Sequence, residues 1–260
     1  TRAVLDRNVG QRLYWLCCVA MQTDDKYAVL FGAMLEALLR ASPSDLSATM
    51  RQRALVRALS LASTRLRSVA SSNEQTELMR SELRSISHVL LQHGGCIDSL
   101  FDSARRWCKL RVSRCKLMNS KKRPMLLVFA VQRADGQPAP DEHVLFKTGD
   151  DLRQDTMTLS LFANVRDVCA RAADPIDTKM TLFGCVATST SSGFIEVVKP
   201  ATTIADAVTM RKLGVGGSWR VEALREWLVA AAARHGVSLA DAVANFEASC
   251  AAYCVATHLL

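Results

Sequence analysis

The run Phe146-Lys147-Thr148-Gly149-Asp150-Asp151-Leu152-Arg153-Gln154-Asp155 puts one lysine, one glycine and three carboxylates into a single short stretch. A lysine ammonium is a compact, strongly hydrated charge suited to polyphosphate. Phosphoryl transfer asks the protein for charge neutralisation on the nucleotide more than for covalent chemistry, so a strand-borne lysine held by a carboxylate is a recurring device for it. Asp150, Asp151 and Asp155 are the carboxylates close to Lys147 in sequence. A bare Lys-x-Gly-Asp is in most proteins a surface turn with solvated charges. The complete run is far more specific than that.

Other reactive residue types form no comparable constellation. His88, His93, His143, His235 and His258 lack ligand spacing with cysteine or acid, so no metal ligand is assigned. Cys250 and Cys254 share a helix face at i and i+4 and read as core thiols. The nine cysteines fall at irregular places, which points to a reducing, cytosolic setting. Leu213-Gly214-Val215-Gly216-Gly217 has no following Lys-Ser/Thr and reads as a linker. Arg51, Arg53, Arg57, Arg65 and Arg67 line one helix, either solvated or facing an anionic membrane or another domain. No aromatic platform accompanies them, so no nucleic-acid partner is expected. The net charge of +8 favours anionic partners without choosing among them. No apolar run reaches the ~20 residues that a membrane-spanning helix needs.

The elements that must position Lys147 follow from periodicity. Apolar residues keep helical spacing up to about Trp107: Leu13, Leu16, Cys17 and Ala20; Leu30, Ala33, Met34, Ala37 and Leu38; Leu55, Leu59, Ala62, Leu66 and Val69; Met79, Leu83, Ile86 and Leu90. Pro43 and Asp45 suit the start of the third helix. His93-Gly94-Gly95 offers a C-cap glycine, and a short helix is predicted around Leu100 to Trp107. Met125 to Val131 is an unbroken apolar run that reads as a buried strand. A long tip over Asp135 to Asp141 leads to a second strand, Val144 to Phe146. A helix is predicted over Thr156 to Ala172, strands over Met180 to Thr188 and Phe194 to Val198, and helices around Leu224 to Ala231 and Leu239 to Cys250.

Taken with its neighbours, Phe146-Lys147-x-Gly149-Asp150-Asp151-Leu152-Arg153-Gln154-Asp155 closely resembles the signature of phosphatidylinositol 3-kinases and their relatives. Cys115-Lys116-Leu117-Met118-Asn119-Ser120-Lys121-Lys122-Arg123-Pro124 resembles the family's phosphate-binding loop. Phe183-Gly184-Cys185 and Gly193-Phe194-Ile195-Glu196-Val197-Val198 resemble strands leading to its adenine-binding hinge, and Ser249 to Thr257 the first core helix of its C-lobe. Leu13-Tyr14-Trp15-Leu16 and Phe31 to Ala37 resemble its accessory helical domain. The fold this implies is α+β: the end of an α-solenoid of accessory helices over 1–109, then over 110–260 a kinase-like N-lobe of antiparallel sheet plus helix and the start of the C-lobe.

The resemblance also implies roles. Lys147 would contact ATP phosphates, with Asp150 or Asp155 orienting it, and Ser120 with neighbouring amides of the loop Cys115, Lys116, Leu117, Met118, Asn119, Ser120 and Lys121 would cradle phosphate oxygens. The Glu196 carbonyl and Val198 amide would bind the adenine edge, with Met118, Phe183, Ile195 and Val197 as further pocket candidates. Leu126 stands where the family often has tryptophan and Phe183 where it often has tyrosine, so the pocket's shape differs. ATP and Mg2+ are the implied cofactors. The implied partners are a phosphoinositide substrate, an anionic membrane surface and a regulatory subunit docked on the helices, in a cytoplasmic protein recruited to membranes. The family's catalytic Asp-Arg-His loop and metal-binding Asp-Phe-Gly would follow the helix ending near Leu260, so the expectation is a chain cut before them and inactive alone. A phosphatidylinositol 4-kinase or related kinase, or a non-catalytic nucleotide-binding module, are the rival readings.

Overall fold

Helix starts in this chain are set by side chains that accept backbone N–H groups. Asp6 accepts from Asn8 and Val9 at 2.9 and 3.3 Å and opens α1, Arg7–Ala20. Then come α2, Asp25–Ala41, and α3, Pro43–Arg67. Proline suits the first turn of α3 because its missing N–H would have had no helical partner. Ser71 accepts from Glu74 and opens α4, Ser72–Ile86, which runs into a π-helical turn, Ser87–His93. The computed structural model describes residues 6–41, 43–93, 95–209 and 221–259. Leu213 to Gly217, Gly94 and Leu260 lie outside the described residues, as does the side chain of Asp45.

The sheet follows: β1, Ile97–Asp98; β2, Arg105–Leu110; β3, Lys116–Leu117; β4, Met125–Arg133; β5, Pro138–Thr148; β6, Cys185–Ser189; and β7, Ser192–Glu196. Its order is β1-β2-β4-β5-β7-β6 with β3 beside β4, and every pairing is antiparallel. The first of two compact units runs to Met157 and takes in Phe183–Val197; the second holds Thr158–Leu182 and the chain from Val198.

Inside the first unit the sheet curls around aromatic side chains. Trp107 of β2 stacks on Phe129 of β4 at 4.2 Å and lies 6.0 Å from Phe194 of β7. Phe146 of β5 sits 4.8 Å from Phe194. These four rings are almost wholly buried. Glutamines tie the helices to this sheet: Gln52 of α3 accepts from Trp15 at 3.1 Å and donates to Gln11 and to the Asp98 carbonyl, while Gln11 donates to the Ser99 carbonyl. Each of these buried amide contacts adds about 1 kcal/mol net and costs more to leave unmade.

The second unit contains most of α5, Arg153–Ala170, together with α6, Ile204–Thr209, α7, Val221–Arg234, and α8, Leu239–His258. Ser238 caps α8 by accepting from Asp241 at 3.0 Å. Tyr253 of α8 meets Phe162 edge to face at 5.4 Å and donates to the Thr181 carbonyl at 2.6 Å.

Several expected elements differ. The short helix predicted around Leu100 to Trp107 is instead a turn entering β2, where Trp107 pairs with Val131 and a bulge follows it. That bulge breaks the two-residue alternation by which a strand is recognised. The expected long hairpin tip is short, because β5 begins at Pro138. Prolines fit there since that end of β5 pairs with β4 alone, β7 joining only from Val144 onward. The strand placed at Met180 to Thr188 is Cys185–Ser189, and the one placed at Phe194 to Val198 is Ser192–Glu196. Gly95 has a positive φ of 78°, but it follows a π-helical turn. Cys96 and Cys108 form a disulfide across the β1–β2 ladder, which the irregular cysteine spacing and the expected reducing setting did not anticipate.

Candidate functional site

Lys147 is the penultimate residue of β5, paired with Gly193 of β7. A β-carbon at Gly193 would come within 2.4 Å of the Val186 carbonyl oxygen, so only glycine lets β6 and β7 close behind the lysine. The Lys147 side chain is about one quarter exposed, and its Nζ lies 3.1 Å from Asp150 Oδ2. The turn that brings Asp150 back needs Gly149 at φ 74°, a left-handed conformation costly for any residue with a β-carbon.

The three carboxylates near Lys147 therefore separate by role. Asp150 holds the lysine. Asp151 is taken by Arg153, which reaches it from Nε and Nη2 at 2.9 and 2.6 Å and holds its carboxyl below the usual aspartate range. Asp155 lies in the first turn of α5, where a carboxylate suits the positive end of the helix. Asp155 and Lys147 both act on the Cys185 thiol, which burial pushes up most, with Asp155 adding to the rise and Lys147 opposing it.

The segment from Cys115 to Pro124 contains β3 and leads into β4. Cys115 is buried, its sulfur accepting from the Val128 amide at 3.3 Å. Lys116 and Leu117 form β3, and Met118, half-buried, donates its amide to the Pro124 carbonyl. Asn119, Ser120 and Lys121 are exposed at the tip. The Ser120 amide already donates to the Met118 carbonyl at 3.0 Å.

Further along, Phe183 is exposed, and Ile195 is half-buried against the cluster of Val19, Leu152 and Ala187. Glu196 ends β7, its amide donating to the Gly184 carbonyl at 2.7 Å and its carboxylate accepting from the Gly184 amide at 2.9 Å. Val197 donates to the His143 carbonyl at 2.8 Å. Val198 is the first residue of the second unit's closing segment.

Three residues around the Lys147 turn escape a reading by spacing. Arg67, at the end of α3, donates to the Thr148 carbonyl at 2.7 Å, and Ser63 one turn earlier meets the Thr148 hydroxyl at 2.7 Å. Lys122 donates to the Gly149 carbonyl. The Ser191 carbonyl accepts from Gly149 and Asp150 at 2.7 and 3.2 Å. Arg67 belongs to a row of helical arginines that sequence alone reads as solvated or facing another surface; only the folded position of β5 gives it a partner.

Earlier on β5, Glu142 is buried, accepting from Trp107 Nε1 and from Ser99 Oγ at 2.9 Å. Burial pushes its carboxyl up most; Trp107, Arg105 and Ser99 oppose the rise and Glu196 adds to it. A pKa raised in the folded state gives stability that is complete below the unfolded pKa and is lost as pH rises through the folded one. Glu142→Gln removes that loss. The melting temperature of the variant minus that of the natural chain is therefore expected to grow as pH rises from the usual glutamate range upward. A difference that stays flat or falls in thermal melts across that range would contradict the assignment.

Residues 141–260 match the family described as Phosphatidylinositol 3- and 4-kinase. Across its whole length the chain is 28% identical to Phosphatidylinositol 3-kinase 1 of Dictyostelium discoideum, covering 16% of that protein. It is 32% identical to the Homo sapiens Phosphatidylinositol 4-phosphate 3-kinase C2 domain-containing subunit beta, again across its whole length and covering 15% of that protein. Over 62% of the chain it is 37% identical to Phosphatidylinositol 3-kinase 3 of Dictyostelium discoideum, covering 9%. The chain thus spans a small part of each of these relatives.

Proposed function

Through residues 141–260 the chain belongs to the phosphatidylinositol 3- and 4-kinase family, and on that premise we propose that it is the ATP-holding part of a phosphatidylinositol 3-kinase. The whole protein transfers the ATP γ-phosphate to the inositol ring of a membrane phosphoinositide. The observation that carries this reading is Lys147, set at a strand end and held 3.1 Å from Asp150 by a turn that requires Gly149. In that position the ammonium meets phosphate charge without having to be reorganised when the nucleotide binds. Asp150 holds it in place, and the exposed Ser120, Lys121 and Lys122 bring hydroxyl and cationic groups from the neighbouring loop. The Glu196 backbone carbonyl faces the adenine edge in this proposal.

Mg2+ would neutralise phosphate charge when bound. Among the described residues no three of His, Cys, Asp and Glu group to hold a metal ion, so no ligand is assigned to it in this chain. The 260 residues contain neither Asp-Arg-His nor Asp-Phe-Gly, and alone they are expected to give no transfer. We place the protein in the cytoplasm, recruited peripherally to anionic membranes; the net charge of +8 supports the membrane partner. None of the described helices is long and apolar enough to cross a membrane.

The test is transfer of labelled phosphate by the intact protein to vesicles of phosphatidylinositol or phosphatidylinositol 4-phosphate, followed by headgroup analysis. Label at the ring 3-hydroxyl is expected. Label at the 4-hydroxyl would favour the 4-kinase reading. Retained ATP binding with no transfer to either lipid would favour a non-catalytic module.

A further inference from the structure

Glu196 is fastened by more than its ladder. Its amide and carboxylate clasp Gly184 from both sides, and its second carboxylate oxygen, Oε1, lies 3.6 Å from Arg105 Nη2. Arg105 is anchored elsewhere: its Nη1 is 2.6 Å from Glu142 Oε1 and its Nε is 3.2 Å from Asp102 Oδ2. Glu142 itself cannot swing away, because its other oxygen accepts from Trp107 and Ser99. One guanidinium thus gathers a carboxylate from the β1–β2 turn, one from β5 and one from the end of β7. Arginine suits this task because its planar fork presents several donors in fixed directions.

In sheet order β2 and β7 are not neighbours. The curl that brings Trp107 to 6.0 Å from Phe194 also brings Arg105 of β2 to Glu196 of β7. We infer that Arg105 is a positioning residue for adenine recognition, holding the Glu196 backbone through the Glu196 side chain. Without Arg105, three carboxylates face one another, and like charges push Glu196 off Gly184. The inference rests on the reading that the Glu196 carbonyl meets the adenine edge.

Two ligands distinguish positioning from a general structural role. ATP carries the adenine; inorganic tripolyphosphate carries only the phosphates. In calorimetric titrations of the intact protein, Arg105→Gln is expected to weaken ATP binding about five- to tenfold, the size of one impaired hydrogen bond. Tripolyphosphate binding is expected to stay unchanged. Glu196→Gln keeps an acceptor for the Gly184 amide while cutting the ion contact, so it is expected to show the same selective loss, and it carries the test if Arg105→Gln fails to fold. The double variant is expected to be no weaker than either single one, because both cut the same link. Equal weakening of both ligands, unchanged ATP binding, or additive losses would each overturn the role. A natural protein that binds ATP no more tightly than tripolyphosphate would remove the adenine reading itself, an outcome visible before any variant is made.

Discussion

Lys147→Ala in the intact protein is expected to lower lipid phosphorylation by at least ~100-fold, the scale reported by removing one preorganised charge or donor from a reacting centre. The same change is expected to leave the fold intact. Lys147 and Asp150 are about one quarter and one third exposed, and a partly solvated pair of this kind contributes little to stability. Phosphate transfer and the thermal midpoint, measured on one preparation, separate the two effects. Retained turnover would refute the role of Lys147, whereas lost turnover with a collapsed midpoint would show a folding defect instead. Lys147→Arg sharpens the comparison, since a bulkier planar guanidinium cannot reproduce a compact ammonium beside Asp150. It is expected to recover little of the activity.

Trp107→Ala is expected to destabilise the first unit by ~3–5 kcal/mol, the usual cost of emptying a buried tryptophan site. Trp107 is fully buried, stacks on Phe129, borders Phe101 and Phe194, and donates to the buried Glu142. The variant therefore opens a cavity and withdraws a hydrogen-bond donor from a desolvated carboxylate at the same time. Urea unfolding followed by circular dichroism measures the loss. A change below ~1 kcal/mol would mean that the site collapses around the missing ring, contrary to the close packing seen there. Trp107→Phe, which keeps a ring against Phe129 but not the donor, is expected to fall between the natural chain and the alanine variant.

These two expectations differ in how far the sequence foretells them. Lys147 stands in a continuous run whose residue types and order are specific, so the expectation for it needs no coordinates. In α3 and α4 the apolar residues spaced by three and four, Leu55, Leu59, Ala62 and Leu66, then Met79, Leu83 and Ile86, are the buried ones, whereas α1 buries Tyr14, Trp15 and Val19 beside Cys17 and leaves Leu16 exposed, and Leu30 and Met34 of α2 are exposed. Trp107 is a different case. Its strand has a bulge after it and charged residues on both sides, so the local pattern resembles a helix end as much as a strand. Its pairing with Val131 and its stack on Phe129 become visible only once β4 is in place. The same holds for Arg67, whose partner, the Thr148 carbonyl, is a backbone atom and leaves no trace in residue types.

The sequence by itself determined the order of helices, sheet and helices, and put Lys147, Gly149 and three carboxylates into one run. Those depend on contiguous residues and on periods of two or three to four, which local sterics enforce. The tertiary structure alone decided which of Asp150 and Asp155 holds the lysine, that Arg67 and Lys122 fasten the turn behind it, and that Arg105 gathers Asp102, Glu142 and Glu196. Each of those choices depends on segments brought together by the curl of the sheet and the burial of its rings. Hydrophobic burial is non-directional, so the spacing of apolar residues along the chain does not say which strand faces which.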